Sequence, residues 1–103
     1  MAARTVQFSA DALEEYGAIF RESIRLFGVD QADRYALQID SALDTMPDNP
    51  EIGASRADLI SGLRRFRVGS HFVYYLHNSE EIKVVHIYHQ RRSEELGDWE
   101  IES

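Results

Sequence analysis

Apolar side chains recur at helical intervals through the first half of the chain and at alternate positions through its last third. Val6 and Phe8 flank Gln7, the pattern of a short strand. Leu13, Tyr16, Phe20, Ile24 and Phe27 then follow at steps of 3, 4, 4 and 3, which predicts one apolar stripe along a helix. Ser9 supplies a candidate N-cap, Asp11 an acidic first turn and Gly28 a C-terminal cap. The same spacing repeats in Ala32, Tyr35, Ile39, Leu43 and Met46, with Asp30 as candidate N-cap and Pro47 and Pro50 as stops. Two amphipathic helices joined by about two residues predict an antiparallel hairpin over roughly residues 9–46.

Residues 47–62 read as a loop, and strands follow it. Leu63 to Val68 places Phe66 and Val68 on one face and Arg65 and Arg67 on the other. Gly69-Ser70 is a two-residue hairpin turn into His71–His77, and Asn78-Ser79 a turn into Ile82–His89. In that last run, alternation puts Val85 and Ile87 on one face and His86 and Tyr88 on the other. The predicted order is β-α-α-β-β-β, an α+β fold in which the helix hairpin packs on a mostly antiparallel four-stranded sheet. Tyr74, Tyr75 and Tyr88 are expected to pack in the core or on the sheet face. Phe8, Ile19, Leu26, Leu37 and Ile60 fall off the main stripes and are expected to form an exposed apolar groove. The segment from Ser93 to Ser103 reads as an acidic tail, a short helix or a loose end.

With 103 residues, the chain is expected to form one domain, residues 1–103, with a modest core. Cysteine is absent, which removes disulfides, thiolate ligands and cysteine nucleophiles and fits a reducing, cytoplasmic setting. No secretory signal is visible at the N-terminus, and no run approaches the ~18 apolar residues of a membrane span. The formal net charge is −7, which argues against general nucleic-acid binding. It is unevenly spread. Residues 1–60 carry 5 basic and 11 acidic side chains, a net of −6; residues 61–93 carry 6 and 2, a net of +4; residues 94–103 carry 5 acidic and none basic. The middle segment is a basic island, either a solvated strand face or a surface for an acidic partner.

Candidate chemistry concentrates in that island. His71, His86 and His89, with Arg64, Arg65, Arg67, Arg91 and Arg92, have the composition needed to cleave RNA: a base, an acid and cations for the phosphorane. Each histidine also has a structural reading. His71 follows a turn, His86 alternates with apolar neighbours and His89 ends a strand. Their spacing is not that of a metal site, no glycine-rich phosphate loop exists and no serine lies in a nucleophile elbow. No catalytic residue, metal or cofactor is therefore expected. The candidate partner-binding residues are Arg64, Arg65, Arg67, His71, His89, Arg91 and Arg92.

Several segments in order resemble the ParE branch of the RelE/ParE toxin superfamily. They are "FSADALEEYGAIFRES", "FGVDQADRY" (Phe27–Tyr35), "PDNPEIG" (Pro47–Gly53), "GLRRFRVGSHFVYY" (Gly62–Tyr75) and "IKVVHIYHQRRS" (Ile82–Ser93). The resemblance implies the same β-α-α-β-β-β fold. It also implies a toxin of a type II toxin–antitoxin pair, acting on DNA gyrase by protein binding. A cognate ParD-like antitoxin would neutralise it, with a DNA-binding N-terminal half and a flexible C-terminal half that wraps the toxin. The RelE branch, which cleaves messenger RNA on the ribosome, is the alternative, as is an inert relative that only binds its antitoxin. RelE-type chains typically close on a basic-x-Arg-Ser-x-x-Tyr pattern, whereas here Leu96 stands at the tyrosine's place after Glu94 and Glu95.

Overall fold

In the computed structural model, which describes residues 4–93, the first helix begins where the sequence places its cap. Ser9 is extended and its Oγ accepts the Ala12 N–H at 3.0 Å. Helix α1 runs Ala10–Phe27 and helix α2 Val29–Thr45. A single residue separates them, Gly28, whose φ of 87° is one that side-chain-bearing residues rarely adopt. Its N–H bonds to Ile24 O and ends α1, and the same residue opens α2. The reversal is tighter than the two residues expected, so Asp30 lies in the first turn of α2 rather than capping it.

Among the described residues the sheet has five strands: β1 (Thr5–Phe8), β2 (Ala54–Ser55), β3 (Arg64–Val68), β4 (His71–His77) and β5 (Glu81–His89). Their spatial order is β1-β5-β4-β3-β2, antiparallel except where β1 lies parallel to β5. A short turn of helix, α3 (Gln90–Ser93), follows β5. The sequence predicts four strands; the fifth, β2, lies inside the presumed loop. Its two residues are too few to show alternation, and pairing with Arg64 and Arg65 of β3 defines it.

Two apolar clusters lie on opposite faces of this sheet. On the helix side, Ala12, Ile39, Ala42, Leu43 and Met46 meet Val68, Val73, Tyr75, Ile82, Val84 and Ile87. On the rear side, Leu63, Tyr74, Val85 and Tyr88 are joined by Leu59 and Ile60 from the preceding loop and by Phe72 and Leu76. Tyr74, Tyr75 and Tyr88 are therefore core residues, as expected, though divided between the faces. The stripe of α1 is rotated from the predicted one. Leu13 and Phe27 are 63% and 61% exposed, whereas Ala12 has no exposed surface and belongs to the core cluster. A small side chain at position 12 lets the helix sit near the sheet, and Tyr16 and Ile19 pack behind it.

One irregularity in β5 fixes how α1 meets the sheet. Tyr75 pairs with Val84, but Tyr74 pairs with His86, leaving Val85 as an extra residue in a β-bulge. The bulge turns Val85 to the rear cluster and Ile87 to the helix side, so the two do not share a face as simple alternation predicts. Strand β1 pairs with β5 only over Glu81–Val84. Beyond that point α1 replaces the neighbouring strand. Ser9 donates its N–H to Val84 O (2.9 Å) and its hydroxyl to Val85 O (2.8 Å), while Glu15 Oε1 accepts the Ile87 N–H (3.0 Å).

Candidate functional site: a groove beside strand β5

Where α1 stands off the outer edge of β5, a groove of about 730 Å3 remains. Its apolar lining is Ala18, Ile19, Leu26 and Phe27 of α1 and Ile87 of β5. Leu26 and Phe27 are exposed there, and Val29 continues the apolar surface around the hairpin tip. Of the five residues expected to form an apolar groove, Ile19 and Leu26 do. Phe8 instead packs edge-on against Tyr16, Ile60 supports the rear cluster, and Leu37 is exposed outside the groove.

One end of the groove is polar. His71 and His89 are directly opposite on β4 and β5, with ring centroids 5.3 Å apart, edge to face. Tyr35 of α2 organises this corner. Its hydroxyl donates to Val68 O (2.9 Å), accepts the Ser70 N–H (3.2 Å) and lies 2.6 Å from His71 Nδ1. With the one phenolic hydrogen directed at Val68, His71 carries its ring hydrogen on Nδ1 and donates it to the phenol. Burial, and then the nearby His89, push the His71 pKa down to about 4. His71 is thus neutral near pH 7, with Nε2 as its basic nitrogen.

The arginines divide by role. Arg64 Nη1 donates to Gly53 O (2.7 Å) and holds the 50s loop against the sheet. Arg65 stacks on Phe72, 4.1 Å from the ring centroid, on the rear face. Arg67 donates to Gly69 O (2.9 Å) and to Gln90 Oε1 (3.0 Å), which brings it beside α3. Arg92 rests 4.5 Å above the Tyr88 ring and lines the groove, and Arg91 is exposed next to it. His71, His89 and Arg92 therefore line one groove, Arg67 and Arg91 lie at α3 without lining it, and Arg64 and Arg65 lie farther along β3. The third histidine, His86, is apart from the pair: it is buried, stacks on Tyr88 and contacts Glu15 at 3.2 Å. Sequence reasoning did not single out Tyr35 or Glu15. Tyr35 was absorbed into the core stripe, and a carboxylate between Ala12 and Ile19 on the buried face was the available signal for Glu15.

Among the described residues, no group of three or more histidine, aspartate or glutamate side chains is placed to hold a metal, and no helix is long and apolar enough to cross a membrane. Residues 6–94 match the family described as "ParE toxin of type II toxin-antitoxin system, parDE". The chain belongs to the ParE toxin family.

Similar proteins agree with that membership. Toxin ParE1 of Mycobacterium tuberculosis is 38% identical over 66 residues, covering 63% of this chain and 67% of that protein. Toxin ParE1 of Caulobacter vibrioides is 27% identical over 84 residues, covering 82% and 86%. A structure described as a chromosomal ParDE system from P. aeruginosa superimposes with a TM-score of 0.72 at 17% identity, covering 84% of this chain and 96% of that one. A YoeB dimer from Staphylococcus aureus does so with 0.63 at 20%, covering 85% and 99%. At such identities the two structures speak to the fold, which ParE-family and YoeB chains share.

Proposed function

We propose that this ParE-family chain inhibits DNA gyrase by binding it, and that a ParD-like antitoxin neutralises it by filling the groove beside β5. The observation that carries this reading is the groove: an apolar floor left open between α1 and β5, with a cationic corner at its end. An amphipathic helix or extended segment fits such a surface, with apolar anchors supplying affinity and acidic side chains meeting the arginines. The catalytic alternative is weakened by His71. Held on Tyr35 with a pKa near 4, it is a poor base at neutral pH for a ribose hydroxyl.

Induction of the chain without its antitoxin is expected to give filamentation with DNA-damage signalling, and the purified protein to inhibit supercoiling by gyrase. Rapid loss of translation, or cleavage of RNA that disappears in His89→Ala, would favour the nuclease instead. No growth defect would leave an antitoxin-binding relative without toxicity.

A further inference from the structure

The two walls of the groove differ in how their charges are neutralised. On α1, Glu15 accepts the Ile87 N–H and contacts His86, and Glu22 is paired with Arg25. Both acidic lining groups are therefore engaged within the chain. At the opposite side Arg92 has no carboxylate partner among the described residues, and its guanidinium is held in place on the Tyr88 ring. His71 and His89 lie at the same end, lining the groove with it. Among the described residues, the titratable and charged groups around the histidine pair are Tyr35 of α2, Tyr88 of β5, Glu15 and Glu22 of α1, and Arg92 and Arg91 of α3, the last of which donates its backbone N–H to His89 Nδ1 (3.2 Å). A cation and two imidazoles lining the same groove, with the acidic lining groups already occupied, make a site for an incoming anion.

We propose that Arg92, His71 and His89 form a carboxylate clamp at the end of the groove, and that the antitoxin segment lying there seats an aspartate or glutamate in it. This rests on the reading that the antitoxin fills the groove. Arg92 supplies the permanent charge, and the histidines supply a conditional one. His71 is neutral in the free chain, because burial and His89 oppose its protonation. A carboxylate placed against the pair favours the imidazolium and raises its pKa by ~1–3 units. Binding then takes up a proton in mildly acidic solution. The sign follows from linkage: a complex that holds more protons than its free components tightens as pH falls.

The experiment co-expresses the chain with the product of the adjacent reading frame, separates the two, and measures binding by calorimetry at pH 6 (MES against Bis-Tris) and at pH 8 (HEPES against Tris), buffer pairs of different ionisation enthalpy without an inorganic anion to compete. The expected result is affinity about two- to tenfold tighter at pH 6. Binding heats should differ between buffers of different ionisation enthalpy at pH 6 and agree at pH 8. Arg92→Gln is expected to weaken binding about tenfold, with Arg92→Lys recovering most of the loss. His71→Asn, which keeps a donor for Tyr35, should abolish proton uptake; His89→Gln repeats that measurement if the first variant is unstable. Buffer-independent heats at pH 6 would overturn the clamp even if Arg92→Gln weakens binding, since Arg92 would then be an ordinary rim charge. Arg92→Gln binding within twofold of the parent would overturn it too. Failure to form any complex would remove the antitoxin reading itself, and the clamp with it.

Discussion

Tyr35 shows how much one side chain can decide. It ties α2 to the β3–β4 turn through three hydrogen bonds, and the turn is shaped to receive it. A Cβ on Gly69 would fall 2.5 Å from Tyr35 Cε1, at a backbone φ of 57°. Gly28 has an equally demanding φ of 87° but open space around it. Gly69→Ala is therefore expected to cost about 2–4 kcal/mol, by displacing the phenol and its network, against about 1 kcal/mol for Gly28→Ala. Urea unfolding of the two variants measures the difference. His71 also sets a pH limit. Its folded pKa, about 4, lies below the ordinary 6.5. As pH falls, the unfolded chain therefore takes the proton first. Stability is full above about pH 6.5 and declines towards pH 4. Thermal melts at pH 7, 5.5 and 4.5 should show this decline, and His71→Asn should flatten it. At this scale the sequence marked His71 and the Gly69-Ser70 turn but not their link to Tyr35, which lies on another element 36 residues away.

At the scale of elements, the bulge at Val85 connects local geometry to the groove. It divides the outer edge of β5 into two stretches: one covered by β1 over Glu81–Val84, the next by α1 through Ser9 and Glu15. Glu15→Ala removes the acceptor of the Ile87 N–H at a part-buried site, and a loss of about 1–3 kcal/mol is expected. Hydrogen exchange at the Ile87 amide should accelerate by more than the global destabilisation explains. The helices were legible in the sequence because caps and a 3.6-residue period are local signals. Ser9 and Gly28 mark their ends, and only the assignment of Asp30 as a cap failed, because one glycine serves both helices. The bulge was not legible, since an extra residue is defined only against a partner strand. Nor was the rotation of α1 that leaves Leu13 and Phe27 in solvent. Periodicity gives the width of an apolar stripe, while contact with the small Ala12 decides which edge of it is buried.

For the whole molecule, charge is layered. Residues 10–45, which span the helix hairpin, hold 8 acidic and 3 basic side chains, a net of −5. Residues 54–93, which hold β2 to α3, carry 3 acidic and 7 basic ones, a net of +4. An acidic partner is drawn towards the sheet and away from the outer helix surface. Charge reversal at Arg65 and Arg67 is therefore expected to slow association with the antitoxin and flatten its salt dependence, with little change in dissociation. Truncation of Leu26 and Phe27 should do the opposite. Stopped-flow rates at two salt concentrations distinguish them. The sign of each layer was readable from the sequence as a basic island in an acidic chain. The groove was not, because it forms between α1 and a strand about 70 residues later.

That distance in sequence has a consequence in time. Strand β1 closes on β5, so β1 waits for a strand about 75 residues later in the chain before it has a neighbour. The helix hairpin can form early, since its contacts are local, but its apolar face stays uncovered until residues 81–89 emerge. A nascent chain halted before Glu81 lacks both the wall of the groove and the mate of β1. On the proposed reading, an antitoxin finds this surface only after β5 has emerged and paired with β1 and β4.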